Sequence, residues 1–346
     1  MDQPRRPGAE PGPDGPTIGD GDERIDRFGV LLGVSAYLLW GIFPLYFHAL
    51  EPASAIEILC HRIVWSFVVL AIALLVRRDL CWVAPLLRNG RLVALLAVAA
   101  VCISTNWLVY IWAVEDGRVV EGALGYFITP LVTVMLGVFV LGERLRRMQW
   151  LAVVCGAVAV VVITIGYGRL PWVSLVLAAS FSSYGFIKKQ VTINAVHSLT
   201  VETAVLLPAA AVVLVVLVAN GSSEFVHGGV RPTLLLATAG LITATPLVLF
   251  GAAAQRIPLT MVGLLQYLTP VMQFIIGVFV LEEDMPPERW AGFAVIWLGL
   301  FLLSIDAVQS SGLRSRSNQP AEAERAGPGS PASVPTPTST SGDPGF

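Results

Sequence analysis

Apolar residues come in long runs along this chain, and polar residues come in short breaks between them. A bilayer core about 30 Å thick takes roughly 20 apolar residues in a helix. Ten runs meet that length or come close to it: 28–50, 56–76, 92–114, 119–141, 148–166, 171–187, 198–218, 232–254, 259–281 and 288–306. The breaks are tight, as at Arg77-Arg78-Asp79, Glu115-Asp116-Gly117-Arg118, Arg144–Arg147, Lys188-Lys189 and Pro286-Pro287. The sixth run is the weakest, diluted by Ser180, Ser182, Ser183 and Tyr184. It is counted because ten runs split evenly into two sets of five. The pattern predicts an all-α integral membrane protein with ten transmembrane helices.

The two sets read as copies of one unit. Shifted by 140 residues, Leu124–Ile165 meets Leu264–Ile305 without a gap, and eleven of the 42 positions are identical. Apolar bias alone would match Val, Leu and Ile. It would not align Thr129-Pro130 with Thr269-Pro270, Gly137 with Gly277, Glu143 with Glu283 and Trp150 with Trp290. An internal repeat of this kind sets the architecture. Five spans is an odd number, so the second copy enters the membrane upside down. The loop after span four, Gly-Glu-Arg-Leu-Arg-Arg, is basic, whereas its copy after span nine, Glu-Glu-Asp-Met-Pro-Pro-Glu, is acidic. Seventeen Lys and Arg fall on the side of the N-terminus, against Arg118, Arg169, Arg231 and Arg289 on the other. By the positive-inside rule this puts both termini in the cytoplasm. Inverted repeats of this kind are an architecture of secondary transporters, with the binding site near the midplane at the repeat interface.

Composition narrows the partners. The chain is 55% hydrophobic and only 13% charged, against about 25% charged in soluble domains. The lipid bilayer is therefore its solvent. A net charge of −2 argues against a nucleic-acid partner. Cys60, Cys81, Cys102 and Cys155 are scattered, the four histidines lie far apart, and no metal-binding spacing occurs. No Walker loop is present. Neither metal nor cofactor is expected. The segments 1–27 and 307–346 are rich in Pro, Gly, Ser, Thr and Asp and are predicted to be disordered cytoplasmic tails. The repeats then occupy 28–166 and 171–306. The first apolar run begins too late, and runs too long, for a cleaved signal peptide.

Several segments carry a resemblance: Ala36–Pro44 (AYLLWGIFP), Glu57–Phe67 (EILCHRIVWSF), Asn106–Val114 (NWLVYIWAV), Leu124–Leu131 (LGYFITPL), Leu141–Val153 (LGERLRRMQWLAV) and Gln266-Tyr267. The chain resembles the drug/metabolite transporter superfamily and its EamA repeat, and most closely the RarD branch of permeases. The resemblance covers about 30–306. It implies an inner-membrane carrier for a small-molecule substrate, since relatives in the superfamily export amino acids, metabolites and drugs.

Polar groups inside the membrane are costly and default to functional hypotheses. Glu57, His61 and Arg62 all lie in span two. Glu57 and His61 are four apart and share a face, while Arg62 sits about 140° round from Glu57 and faces another partner. They read as a site for a substrate carboxylate or for proton coupling, with an interhelical ion pair as the structural alternative. Glu202 holds the place of Glu57 in span seven, so the two glutamates are assigned to matching outer and inner vestibules. Pro130 and Pro270 interrupt spans four and nine at corresponding positions and free the carbonyls of Tyr126 and Gln266. Thr129 and Thr269 are placed to re-satisfy those carbonyls. Paired interruptions point to the transport site; simple helix curvature is the alternative. Trp40, Trp107, Tyr126 and Tyr267 are candidates to line it, although Trp and Tyr also anchor helices at the lipid interface. Asn106 adds a buried amide that binds substrate or joins helices. The reading is a secondary transporter, and it admits a homodimer. An integral membrane enzyme acting on lipid, or a membrane scaffold, is the competing class.

Overall fold

The computed structural model describes residues 26–142, 144–191, 193–257 and 259–305. Glu143, most of the predicted N-terminal tail and all of the predicted C-terminal tail lie outside the described residues. Span one runs from Arg27–Gly41, bends at Ile42 and continues as Phe43–His48. Spans two to five are Ala55–Val76, Gly90–Glu115, Val119–Leu141 and Arg147–Tyr167. Spans six to eight are Trp172–Lys189, Ala195–Ala219 and Val230–Ala254. Span nine is broken into Leu259–Leu265, Leu268–Ile275 and a π-helical turn at Ile276–Val280, and span ten is Pro287–Ile305. Among the described residues nine of these are long and apolar enough to cross a membrane. The other is span six, 18 residues long, where the serines and Lys188-Lys189 lower the hydropathy. The described residues contain no strand.

Local chemistry starts and stops these helices. Asp26 accepts from the amides of Phe28 and Gly29, Asn89 from Leu92, and Asn194 from Val196, so side chains satisfy N–H groups that each first turn leaves orphaned. Gly142 and Gly168 end spans four and five at φ 66° and 63°, a left-handed cap open to glycine.

Packing follows a pseudo-two-fold. Spans two and seven pack on each other, as do four and nine. Spans five and ten also touch, through Gly299 against Cys155 and Ala152. The most extensive of the other contacts come in equivalent pairs: one with eight and six with three, one with nine and six with four, two with eight and seven with three. Counterparts run antiparallel. The start of span two, at Glu57, meets the loop that follows span seven, and the start of span seven, at His197, meets Asp79 beyond the end of span two. Gly277, near the end of span nine, packs on Val119 and Val120 at the start of span four. The repeats are inverted. Outward-facing Phe139, Ile165, Val215 and Leu241 are exposed, as side chains solvated by lipid rather than water would be.

Candidate functional site

Arg62 lies about 10 Å along span two from its first residue and is buried. Its Nε donates to Thr243 Oγ1 of span eight at 3.1 Å. The guanidinium lies over Trp107 at 4.4 Å, with Phe47 at 5.3 Å and Phe43 at 5.5 Å. Among the described residues no carboxylate stands within ion-pair distance of it. Phe47 also touches Tyr110, which packs on Tyr126. The Tyr126 hydroxyl donates to Asn106 Oδ1 at 3.0 Å, and Asn106 Nδ2 donates to the Leu177 carbonyl at 3.1 Å and to Ser180 Oγ at 3.2 Å. Asn106 thus ties spans three, four and six together. The Tyr110 hydroxyl is buried and has no partner among the described residues. Arg62, Trp107, Asn106 and Tyr126 therefore belong to one polar and aromatic cluster, held by spans one, two, three, four, six and eight.

Span nine packs on span one. Gln273 donates to the Trp40 carbonyl at 3.5 Å, and the Thr269 hydroxyl to the Tyr37 carbonyl at 2.8 Å. The Trp40 ring packs on Tyr37 and Phe250. The two prolines do not behave alike. Span four is one helix through Pro130. Span nine breaks at Gln266-Tyr267, and Pro270 falls in the first turn of the segment that follows, where a missing N–H costs nothing. Neither threonine takes the role assigned to it. Thr129 donates to the Gly125 carbonyl, and Thr269 leaves its own helix for span one. Gln266 is exposed, and Tyr267 packs into the apolar cluster shared by spans four, five, six, nine and ten.

The span-two triad is split. Glu57 is fully buried and accepts from the Ser223 hydroxyl at 2.7 Å and from the amides of Glu224 and Phe225 at 3.1 and 3.2 Å. It caps the short helix Glu224–His227. His61 packs on Phe225 at 4.5 Å and reaches Glu57 only at 4.0 Å. It borders an apolar hollow of about 450 Å³ lined by Leu214, Val215, Val218 and Ala219. Glu202 is equally buried. It is held by Lys188 at 2.8 Å, Ser198 at 2.7 Å and Tyr184 at 3.2 Å. The vestibule assignment therefore fails for both glutamates, because each is a sealed joint between elements. A carboxylate with that many donors is already satisfied.

Comparison with known proteins fits this architecture. The EamA-like transporter family matches residues 27–165 and again 170–305. Protein RarD of Streptomyces exfoliatus is 53% identical over 302 residues, 87% of this chain and 95% of that protein. The chain belongs to the EamA-like transporter family. Within it, Protein RarD of Escherichia coli (strain K12) is 39% identical, over 83% of this chain and 97% of that one. Chloramphenicol-sensitive protein RarD of Pseudomonas aeruginosa is 31% identical, over 83% and 96%. A solved crystal structure of a protein has the same fold at a TM-score of 0.52, with 18% identity over 80% of this chain and 97% of that chain. This chain is a RarD-type member and a multi-pass membrane transporter.

This EamA-like transporter also has a seal that its sequence did not announce. It lies on the face opposite the described chain ends. Arg118 donates to Glu121 through Nε at 2.9 Å and Nη2 at 2.6 Å, with Trp112 and Trp172 at 5.2 and 5.5 Å from the guanidinium. Glu121 accepts in turn from the Val173 amide at 3.2 Å, and its carbonyl from Ser174 at 2.6 Å. Glu283, in the loop after span nine, accepts from the amides of Val119 and Val120. A carboxylate from one repeat thereby caps the positive end of a helix in the other. The one available signal was the matched pair Glu143 and Glu283.

Burial pushes the Glu283 carboxyl up to about 7; the Val120 and Val119 amides and Arg118 pull it down, and Glu121 pushes it further up. The folded protein therefore holds this proton more tightly than the unfolded chain, whose carboxyl keeps a value near 4.5. Stability from this group is full below that lower value and is lost as pH rises through about 7. A melting profile of the purified transporter should fall across that window, and Glu283→Gln should flatten it. An unchanged slope in the variant would show that other groups set it.

Proposed function

We propose that this transporter is a secondary active carrier that moves a small metabolite, amino acid or drug-like molecule across the cytoplasmic membrane. It works by alternating access, in the direction of export, with both chain ends in the cytoplasm. The observation that carries the reading is the Arg62–Tyr110–Asn106 cluster, set among six spans where two inverted repeats meet. The orientation rests on the excess of Lys and Arg on the side of the chain ends. The seal at Arg118, Glu121 and Glu283 supports a form closed to the outside. In span four, residues 119–125 are buried while Thr133 is exposed and Met135 half-exposed, which fits a route that opens toward the cytoplasm.

The test is counterflow of labelled amino acids and amphenicols in proteoliposomes, with and without a pH gradient. Protein-dependent exchange supports the reading. Turnover of a lipid substrate without translocation would replace it with the membrane-enzyme alternative. Proton coupling through His61 is tested in the same assay: unaltered pH dependence in His61→Ala, at equal expression, removes it.

A further inference from the structure

Arg62 is a buried cation with no carboxylate partner among the described residues. A guanidinium has five N–H donors in a rigid planar fork and stays charged under all working conditions. Here Nε is spent on Thr243, and no further hydrogen bond from Arg62 is made among the described residues. The guanidinium lies over the Trp107 ring at 4.4 Å, which leaves the edge of the fork for a ligand in its plane. The fork matches a carboxylate, which it binds through two parallel hydrogen bonds. A second donor is in place, because the Tyr110 hydroxyl has no partner among the described residues, and the Phe47 ring touches both Tyr110 and the guanidinium.

Three acids among the described residues are committed elsewhere. Glu57 caps the Glu224–His227 helix, Glu202 is paired with Lys188, and Glu283 caps span four. The pseudo-two-fold supplies no second cation: at the spacing that sets Glu202 on Glu57, the place of Arg62 falls on Leu207. One anchor suits one negative charge. Around Arg62 and Tyr110 stand Phe43, Phe47, Trp107 and Tyr126, surfaces for an apolar or aromatic body.

Resting on the transporter reading, we propose that Arg62 anchors the carboxylate of the transported solute, and that the substrate class is small organic monoanions with an apolar or aromatic body. A structural role alone would spend the fork on protein carbonyls or an acid.

Matched pairs test this without knowledge of the natural solute. Indole-3-acetate and indole-3-acetamide, and benzoate and benzamide, differ at the carboxyl and little else. Binding to the full chain in detergent is read by Trp fluorescence and by thermal shift. Wild type should prefer each acid over its amide by about tenfold or more, the worth of hydrogen bonds to a charged group. Arg62→Gln should abolish the preference, and Arg62→Lys should retain only part of it. If Arg62→Gln does not fold, Tyr110→Phe removes only a hydroxyl and should weaken the acids while leaving the amides unchanged. Equal responses to acid and amide in wild type, or no response to any of the four, overturn the proposal. Proteoliposomes separate it from the transporter reading. Acids bound but not moved sink the transporter and keep the site; neutral solutes moved equally by wild type and Arg62→Gln do the reverse.

Discussion

Gly240→Ala melts well below the wild-type transporter, while Gly251→Ala, farther along the same span, is tolerated. Gly240 is where span eight crosses span two. A methyl group there would lie 2.7 Å from the Ser66 amide nitrogen and closer still to the Trp65 carbonyl. Both are backbone, so no rotamer change makes room and the helices must separate. Overpacking of a well-packed interior costs about 1–3 kcal/mol, and this site has the least freedom to relax. Separation also draws Arg62 away from Thr243, since those residues flank the same crossing. At Gly251 an added methyl meets nothing within 4 Å, and the higher helix propensity of alanine favours it by up to about 1 kcal/mol. Size-exclusion profiles and melting temperatures of the two variants in one detergent decide the matter. A monodisperse Gly240→Ala protein with the wild-type melting temperature would show that the two spans do not cross this closely.

Some of this was legible in the residues and some was not, for physical reasons. The helices could be counted because lipid tolerates few polar breaks, and the duplication because Thr-Pro, Gly, Glu and Trp aligned at one spacing. The separation of Arg62 from Glu57 followed from helical geometry alone: five residues turn the side chain about 140°, and the structure puts one on Thr243 and the other on Ser223. The partners were not legible. Glu57 is satisfied by amides more than 160 residues away, and nothing in its own segment signals a cap. Equivalence between repeats misled in the same way. Pro130 and Pro270 match in sequence, but helix continuity depends on neighbours, and span one takes the Thr269 hydroxyl that span four keeps for itself at Thr129. Repeat symmetry gives the backbone path, whereas each side chain answers to the particular residues packed around it.

Lys188 shows what that difference is worth. Counted along the chain it is one more basic residue in a cytoplasmic loop, and its loss should be silent, within about 0.5 kcal/mol. In the structure it is the counter-ion of a sealed acid. Lys188 Nζ stands 2.8 Å from Glu202 Oε1, with side chains 24% and 1% exposed. Removing one partner of a buried pair costs about 3–5 kcal/mol. Water reaches Lys188, and Ser198 and Tyr184 still donate to the carboxylate, so Lys188→Met belongs at the lower end, about 3 kcal/mol. The reverse change differs in kind. Glu202→Gln leaves a lysine that can turn toward water, and its amide oxygen still accepts from Ser198 or Tyr184, so its cost is about 1 kcal/mol. The double variant should then recover most of what Lys188→Met loses, because no uncompensated charge stays buried. Melting temperatures of the two singles and the double measure the coupling. Lys189 remains to hold the loop on its side of the membrane, so topology is not in play. Equal small losses in both singles, adding in the double, would return Lys188 to the solvated loop and leave Glu202 held by hydroxyls alone.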